Sequence, residues 1–206
     1  MSGLHIAFEG TTGAGKTTHS KALAGYLEGK YFREIVLAKS PNGTDAGGRI
    51  VQIVFDRSMT PVAEILAFAA AYAELVNLVI APALKRGAVV ISDRGVGSWL
   101  AYALYRRAGC VSERCVSEIL ETIGCGNSIW PDVTFYLDVP VLVGFARKLG
   151  CADMSVFDLQ DSGVASEAHG LSFLAKKYGW YKIDTTLPER SIQKQVVKVL
   201  QRYLQN

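Results

Sequence analysis

The sequence predicts an α/β fold: one domain over residues 1–206, a five-stranded parallel sheet with helices on both faces. Three observations predict it. Short apolar runs alternate with longer stretches of helical pattern, as they do where helical crossovers join parallel strands. No internal repeat, low-complexity tract or Pro/Ser linker breaks the chain. The 206 residues are 50% hydrophobic and 20% charged, enough for one substantial core at about the usual domain size.

In order along the chain, Leu4 to Phe8 reads as a strand, followed by a glycine-rich loop and a helix from Lys16 to Glu28. Glu34 to Ala38 is a second strand. Ala88 to Ser92 is a third, ending at Asp93-Arg94; Val133 to Asp138 is a fourth and Trp180 to Ile183 a fifth. Helical patterns occupy Pro61 to Lys85, Gly97 to Ala108, Ser112 to Ile123, Val141 to Leu149, Val164 to Tyr178 and Pro188 to Leu204. In such sheets ligands bind beyond the carboxyl ends of the strands. The polar residues that end these runs are Glu9, Lys39, Asp93, Arg94 and Asp138, so the site is expected there.

Composition narrows the function classes. A net charge of +3 without a cluster of Lys or Arg argues against a nucleic-acid partner. The N-terminus lacks a basic region and cleavage pattern, and no window holds the ~18–20 uninterrupted apolar residues of a membrane span. Pro61 to Leu84 carries Glu64, Glu74 and Asn77 and reads as a buried helix, so a cytoplasmic chain with no membrane partner is expected. The four cysteines form no CxxC pair, and His5, His19 and His169 are scattered.

Gly10-Thr11-Thr12-Gly13-Ala14-Gly15-Lys16-Thr17 fits G-x-x-x-x-G-K-[ST] in full, between an apolar strand and an amphipathic helix, with Thr18 continuing it. Glycines let the backbone curl so that its N–H groups face phosphate oxygens at a helix N-terminus. Lys16 is placed to reach the β- and γ-phosphates, and the Thr17 hydroxyl to ligate Mg²⁺. Asp93 is placed to hold the same ion or its water, and Arg94 to clamp a second phosphate. A purely structural ion pair at the strand end is the other reading of those two. The loop specifies a nucleoside triphosphate, not a reaction. The GTPase base-reading motif NKxD is absent, and Leu137-Asp138 lacks the glutamate of an ATPase strand.

Taken together, six collinear segments resemble the thymidylate kinase family of nucleoside monophosphate kinases. They are Phe8-Glu9-Gly10; Lys39-Ser40-Pro41-Asn42-Gly43-Thr44; Glu64-Ile65-Leu66-Ala67-Phe68-Ala69-Ala70; the run Asp93 to Tyr102; Pro131 to Asp138; and Ile183-Asp184-Thr185. The resemblance implies a P-loop kinase fold, with a short lid at about 149–165. It implies Mg²⁺-dependent transfer from ATP to a nucleoside monophosphate, dTMP to dTDP first among them, with small nucleotides as ligands and a homodimer as a possible assembly. It assigns ATP to Gly10 through Thr18, with Arg147 and Thr185 near the adenine. It assigns the acceptor's sugar hydroxyl to Glu9, its phosphate to Lys39 and Arg94, its base to stacking on Phe68, and the pocket walls to Ser98 and Tyr102.

The chain departs from the family pattern in two places. Tyr72 stands where the family has a base-binding arginine, Gly95 where it has tyrosine and Ala103 where it has glutamine. Lost hydrogen-bonding groups relax discrimination between bases. Secondly, neither the P-loop nor residues 150–175 contain a Lys or Arg beyond Lys16, so either Arg147, Lys148 or Arg94 takes over from the family's phosphoryl-neutralising arginine or the enzyme is slow; Arg147 is the leading candidate, alongside Lys16, Asp93 and Arg94 as the catalytic set. Two alternatives stay open: a same-fold kinase for a modified or non-thymine nucleotide or a nucleoside, and a catalytically degenerate nucleotide-binding module.

Overall fold

The computed structural model describes residues 3–30, 33–56, 58–124, 129–149 and 163–204. Five strands, β1 (Leu4–Glu9), β2 (Ile35–Lys39), β3 (Val89–Asp93), β4 (Val133–Asp138) and β5 (Tyr181–Asp184), form one sheet in the order β2-β3-β1-β4-β5. Every pairing is parallel. β4 has the predicted bounds, and the other four strands end one residue further toward their carboxyl ends than the apolar runs predict. The ladder continues through the polar residues, pairing Phe8 and Lys39 each with Asp93.

Both faces of the sheet are apolar, and the alternation of side chains along each strand divides them. Val89, Ile91, Ile6, Phe8, Phe135 and Leu137 point to one face, where Phe8 and Phe135 stack with centroids 5.3 Å apart. That face is covered by α1 (Lys16–Glu28) and α9 (Glu189–Leu204). Val90, Ala38 and Tyr136 point to the other. There lie α2 (Asp45–Phe55), α3 (Pro61–Leu75), α4 (Ala81–Lys85), α5 (Val96–Ala101), α6 (Glu113–Gly124) and α8 (Gly163–Lys177); α7 (Val141–Lys148) follows β4.

Helix α2 is a correction, because the sequence pattern suggests no helix between Lys39 and Pro61. Gly47 and Gly48 depress its helical propensity. What starts it is a cap: the Thr44 hydroxyl accepts from the Gly47 amide at 3.0 Å, and burial of Val51 and Val54 holds the helix down. The long helix from Pro61 to Lys85 is likewise not uniform. A π turn over Val76–Ile80 joins α3 to α4. Pro82 brings no N–H for the carbonyl four residues back, which favours such a widening. An 18-residue window of this stretch has a mean hydropathy of 1.8, and its 25 residues are long and apolar enough to cross a bilayer by length and composition. In the structure their polar groups are answered from within the protein. Asn77 Nδ2 donates to the carbonyls of Ala73 and Ile123 at 2.8 and 2.9 Å, and Glu64 accepts from Tyr102 and Arg107.

A second π turn, Tyr102–Arg106, extends α5. Most of the expected lid, residues 150–162, falls outside the described residues.

Candidate active site

The carboxyl ends of β1, β2 and β3 open into one cleft of about 790 Å³. Its donor end is the loop after β1. Gly13 has φ +75°, a conformation L side chains rarely adopt, and a Cβ there would fall inside the carbonyl of Gly144 on α7. With Gly15 at φ +90° leading into α1, the main chain turns inward, which is the geometry a phosphate-cradling loop needs.

Lys16 is buried at the first position of α1, its ammonium donating to the Thr11 carbonyl at 2.7 Å. Burial, and then repulsion from Arg94, push its pKa down from the ordinary lysine value to about 7, against the opposing pull of Asp93, Glu167 and Glu9. Beside it Thr17 Oγ1 donates to Asp93 Oδ2 at 2.5 Å. These two hard oxygens lie next to the phosphate loop, and no group of three or more metal-ligating side chains occurs among the described residues. That donor set fits Mg²⁺, which takes one or two protein oxygens and completes its shell with phosphates and water. Thr17 and Asp93 are the residues that would hold it.

Thr12 to Thr18 line the cleft, whereas Thr11 is buried beneath the loop. On the α7 side, Arg147 donates to the carbonyls of Thr185 (2.7 Å) and Gly13 (3.4 Å), bridging the loop to the turn after β5. Its guanidinium is thus anchored at the donor end, where Thr185 also lines the wall.

The other end is built from side chains. Arg94 has φ +68°, a strained backbone for a non-glycine residue of the kind that clusters at functional sites. Its Nη1 donates to the Gly10 carbonyl at 3.3 Å and to Ser98 Oγ at 3.1 Å. Glu9 does not line this cleft. One carboxylate oxygen accepts from the Gly95 and Ser98 amides at the start of α5, and the other from the Ser98 hydroxyl. Burial raises its pKa, while Ser98, Arg94 and Gly95 act the other way. Both oxygens expected to meet a sugar hydroxyl are therefore already engaged, and Glu9 shapes the site by holding Ser98 and the α5 N-terminus.

Phe68 is half-buried and lines the cleft, edge-on to Tyr102 with centroids 4.8 Å apart and planes at 79°. Tyr102 is fixed in turn: its hydroxyl donates to Glu64 Oε2 at 2.6 Å, and Arg107 Nε donates to the same oxygen at 2.8 Å. Tyr72 is 1% exposed and its hydroxyl donates to the Ile129 carbonyl at 3.3 Å, so it offers the cleft a ring edge rather than a hydrogen-bonding group. Lys39 stands exposed at the end of β2, on the cleft's rim.

Two residues of this wall were not anticipated. Arg106, at the end of the π turn, donates to Glu167 Oε2 of α8 at 2.7 Å, and the other oxygen of Glu167 lies 3.8 Å from Arg94. Both line the cleft. Their pairing spans 61 positions, and nothing in local spacing announces it.

A sequence model described as thymidylate kinase matches residues 8–196 of this chain. The thymidylate kinase of Chlorobaculum tepidum is 36% identical over 190 residues, covering 91% of this chain and 86% of that one. That of Fervidobacterium nodosum is 32% identical over 203 residues, covering 98% and 100%. Among solved structures, thymidylate kinase from Ehrlichia chaffeensis superposes with a TM-score of 0.76 at 26% identity, covering 98% of this chain and all of that one.

Proposed function

This chain belongs to the thymidylate kinase family, and we propose that it transfers the γ-phosphoryl group of ATP to dTMP, giving dTDP and ADP. The observation that carries this reading is the two-ended cleft. A main-chain phosphate cradle with Lys16 lies at one end, and an aromatic wall with Arg94 at the other, with Asp93 between.

The chemistry is in-line displacement, with little covalent part for the protein. Lys16 draws charge from the β- and γ-oxygens, and Arg94 with Lys39 grips the acceptor phosphate, so two anions are held end to end. The acceptor oxygen is already ionised and needs no general base. Phe68 takes the face of the base, with Tyr102 and Ser98 beside it; Arg147 and Thr185 hold the donor's base side. Mg²⁺, when bound by Thr17 and Asp93, supplies neutralisation of the bridging phosphate charge.

The test is ADP production with ATP and a panel of dTMP, dUMP, dCMP, dGMP and thymidine. Turnover greatest with dTMP is expected, and turnover on none of the monophosphates would overturn kinase function. A broader base preference is favoured by one observation: the Tyr72 hydroxyl, at the position of the family's base-binding arginine, is engaged by Ile129. In that case dUMP and dCMP approach dTMP in kcat/KM. A cytoplasmic location accords with a substrate drawn from the free nucleotide pool. A homodimer is supported by Ile53, Leu66 and Leu78, which stand 48%, 48% and 64% exposed on neighbouring helices.

A further inference from the structure

The donor end of the cleft carries a side chain that the transfer chemistry leaves unused. His19 stands three residues after Lys16 on α1, is 4% exposed and lines the cleft. Its Nδ1 accepts from Gln193 Nε2 of α9 at 2.8 Å. An amide nitrogen only donates, so in the neutral ring the proton sits on Nε2. Burial lowers the ring's pKa, with Glu189 opposing and Arg147 adding to the shift, and the neutral form prevails at pH 7.

The edge of the ring that bears Nε2 lies against the phosphate loop. A Cβ added to Gly15 would stand 3.1 Å from His19 Cδ2 and 3.3 Å from Nε2. Side chains on a helix lean toward its N-terminus, so a residue four positions after Gly15 covers that turn. Nε2 makes no hydrogen bond among the described residues. An almost buried N–H without a partner costs free energy that an apolar side chain at this position would avoid. What satisfies it has to come from the cleft, and the acceptors that loop amides gather beside Gly15 are phosphate oxygens.

We propose that His19 is a ligand of the donor's phosphates: its Nε2–H donates to an α- or β-phosphate oxygen beside Gly15, and Gln193 is the positioning residue that fixes the tautomer. This rests on reading the glycine loop as the donor's phosphate cradle, and it holds whichever acceptor is used. Being neutral, the ring adds a hydrogen bond beside Lys16 without repelling its ammonium.

The test is titration calorimetry of MgADP with the full chain, with adenosine affinity read by displacement of ADP. His19→Phe keeps a ring over Gly15 but removes the donor; it is expected to weaken ADP roughly 10-fold and adenosine less than about twofold. His19→Gln, whose amide still donates, should recover most of the loss and guards against a folding defect in the first variant. Long-range ¹H–¹⁵N correlation spectra report the tautomer. The wild type should carry the proton on Nε2, and Gln193→Leu should show both tautomers. Equal losses for ADP and adenosine in His19→Phe, or no loss for either, would overturn the role of His19. A wild type protonated on Nδ1 would overturn both assignments, and a Gln193→Leu spectrum identical to the wild type would overturn that of Gln193. If the wild type binds no ADP, the cradle reading fails and takes this inference with it; if the wild type binds and the variants match it, the inference alone fails.

Discussion

The two ends of the cleft hold phosphate by different means. At the donor end the ligand-facing groups are main-chain amides, placed by glycines within eight consecutive residues and completed by one lysine. At the acceptor end the groups are side chains from β2, α3, the end of β3, α5, the π turn and α8, and Arg94, Tyr102 and Arg106 among them are oriented by the side chains of Ser98, Glu64 and Glu167. Chemistry common to all triphosphates can be written into a short stretch of backbone. Recognition of one particular acceptor has to be assembled from distant parts of the chain.

That contrast can be broken by substitution. Lys16→Met removes the ammonium the donor end depends on, and kcat should drop by about 10²–10³, the cost of losing a preorganised charge donor at a transition state. Acceptor affinity should hardly move; a comparable loss in dTMP binding would mean that the two ends are not separable. Phe68→Ala probes the other end. Loss of a base-stacking face is worth roughly 1–3 kcal/mol, about 5- to 150-fold in KM for the acceptor, with KM for ATP unchanged. A change confined to ATP would place the aromatic wall at the wrong end.

The smallest effect sharpens the comparison by pH. The ammonium of Lys16 is the form that attracts phosphate, and with its pKa near 7 it is lost as pH rises through that value. ATP affinity should therefore fall above about pH 7, by up to tenfold per unit, and binding should be accompanied by proton uptake. Calorimetry in two buffers of different ionisation enthalpy measures that uptake. An affinity flat from pH 6 to 9 would count against a depressed Lys16.

Legibility in the sequence followed the same divide. The sheet, α1 and the phosphate loop follow from local signals: apolar runs, a glycine pattern, and a lysine at a helix start. Helix α2 hid behind Gly47 and Gly48, since its cap at Thr44 and its buried Val51 and Val54 outweigh a propensity that argues against it. The π turns do not show in the apolar pattern, because one extra residue per turn does not disturb a pattern this dense. Phe68 sits in an apolar helical run that does not by itself mark it as a cleft residue; it lines the cleft edge-on to Tyr102. The Arg107–Glu64 and Arg106–Glu167 pairs join residues 43 and 61 apart, contacts that only the completed packing of α3, the π turn and α8 creates.

The bare contact between Gly13 and Gly144 has a mechanical consequence. A Cβ on either residue would strike the opposing backbone, at the Gly144 carbonyl in one case and the Thr12 carbonyl in the other. The phosphate loop and α7 are therefore cogs cut without clearance. Neither can move closer to the other, and Arg147 ties the loop to the turn after β5 through its bonds to the Gly13 and Thr185 carbonyls. An engineer who fills Gly144 with alanine for better helix propensity would jam the gear.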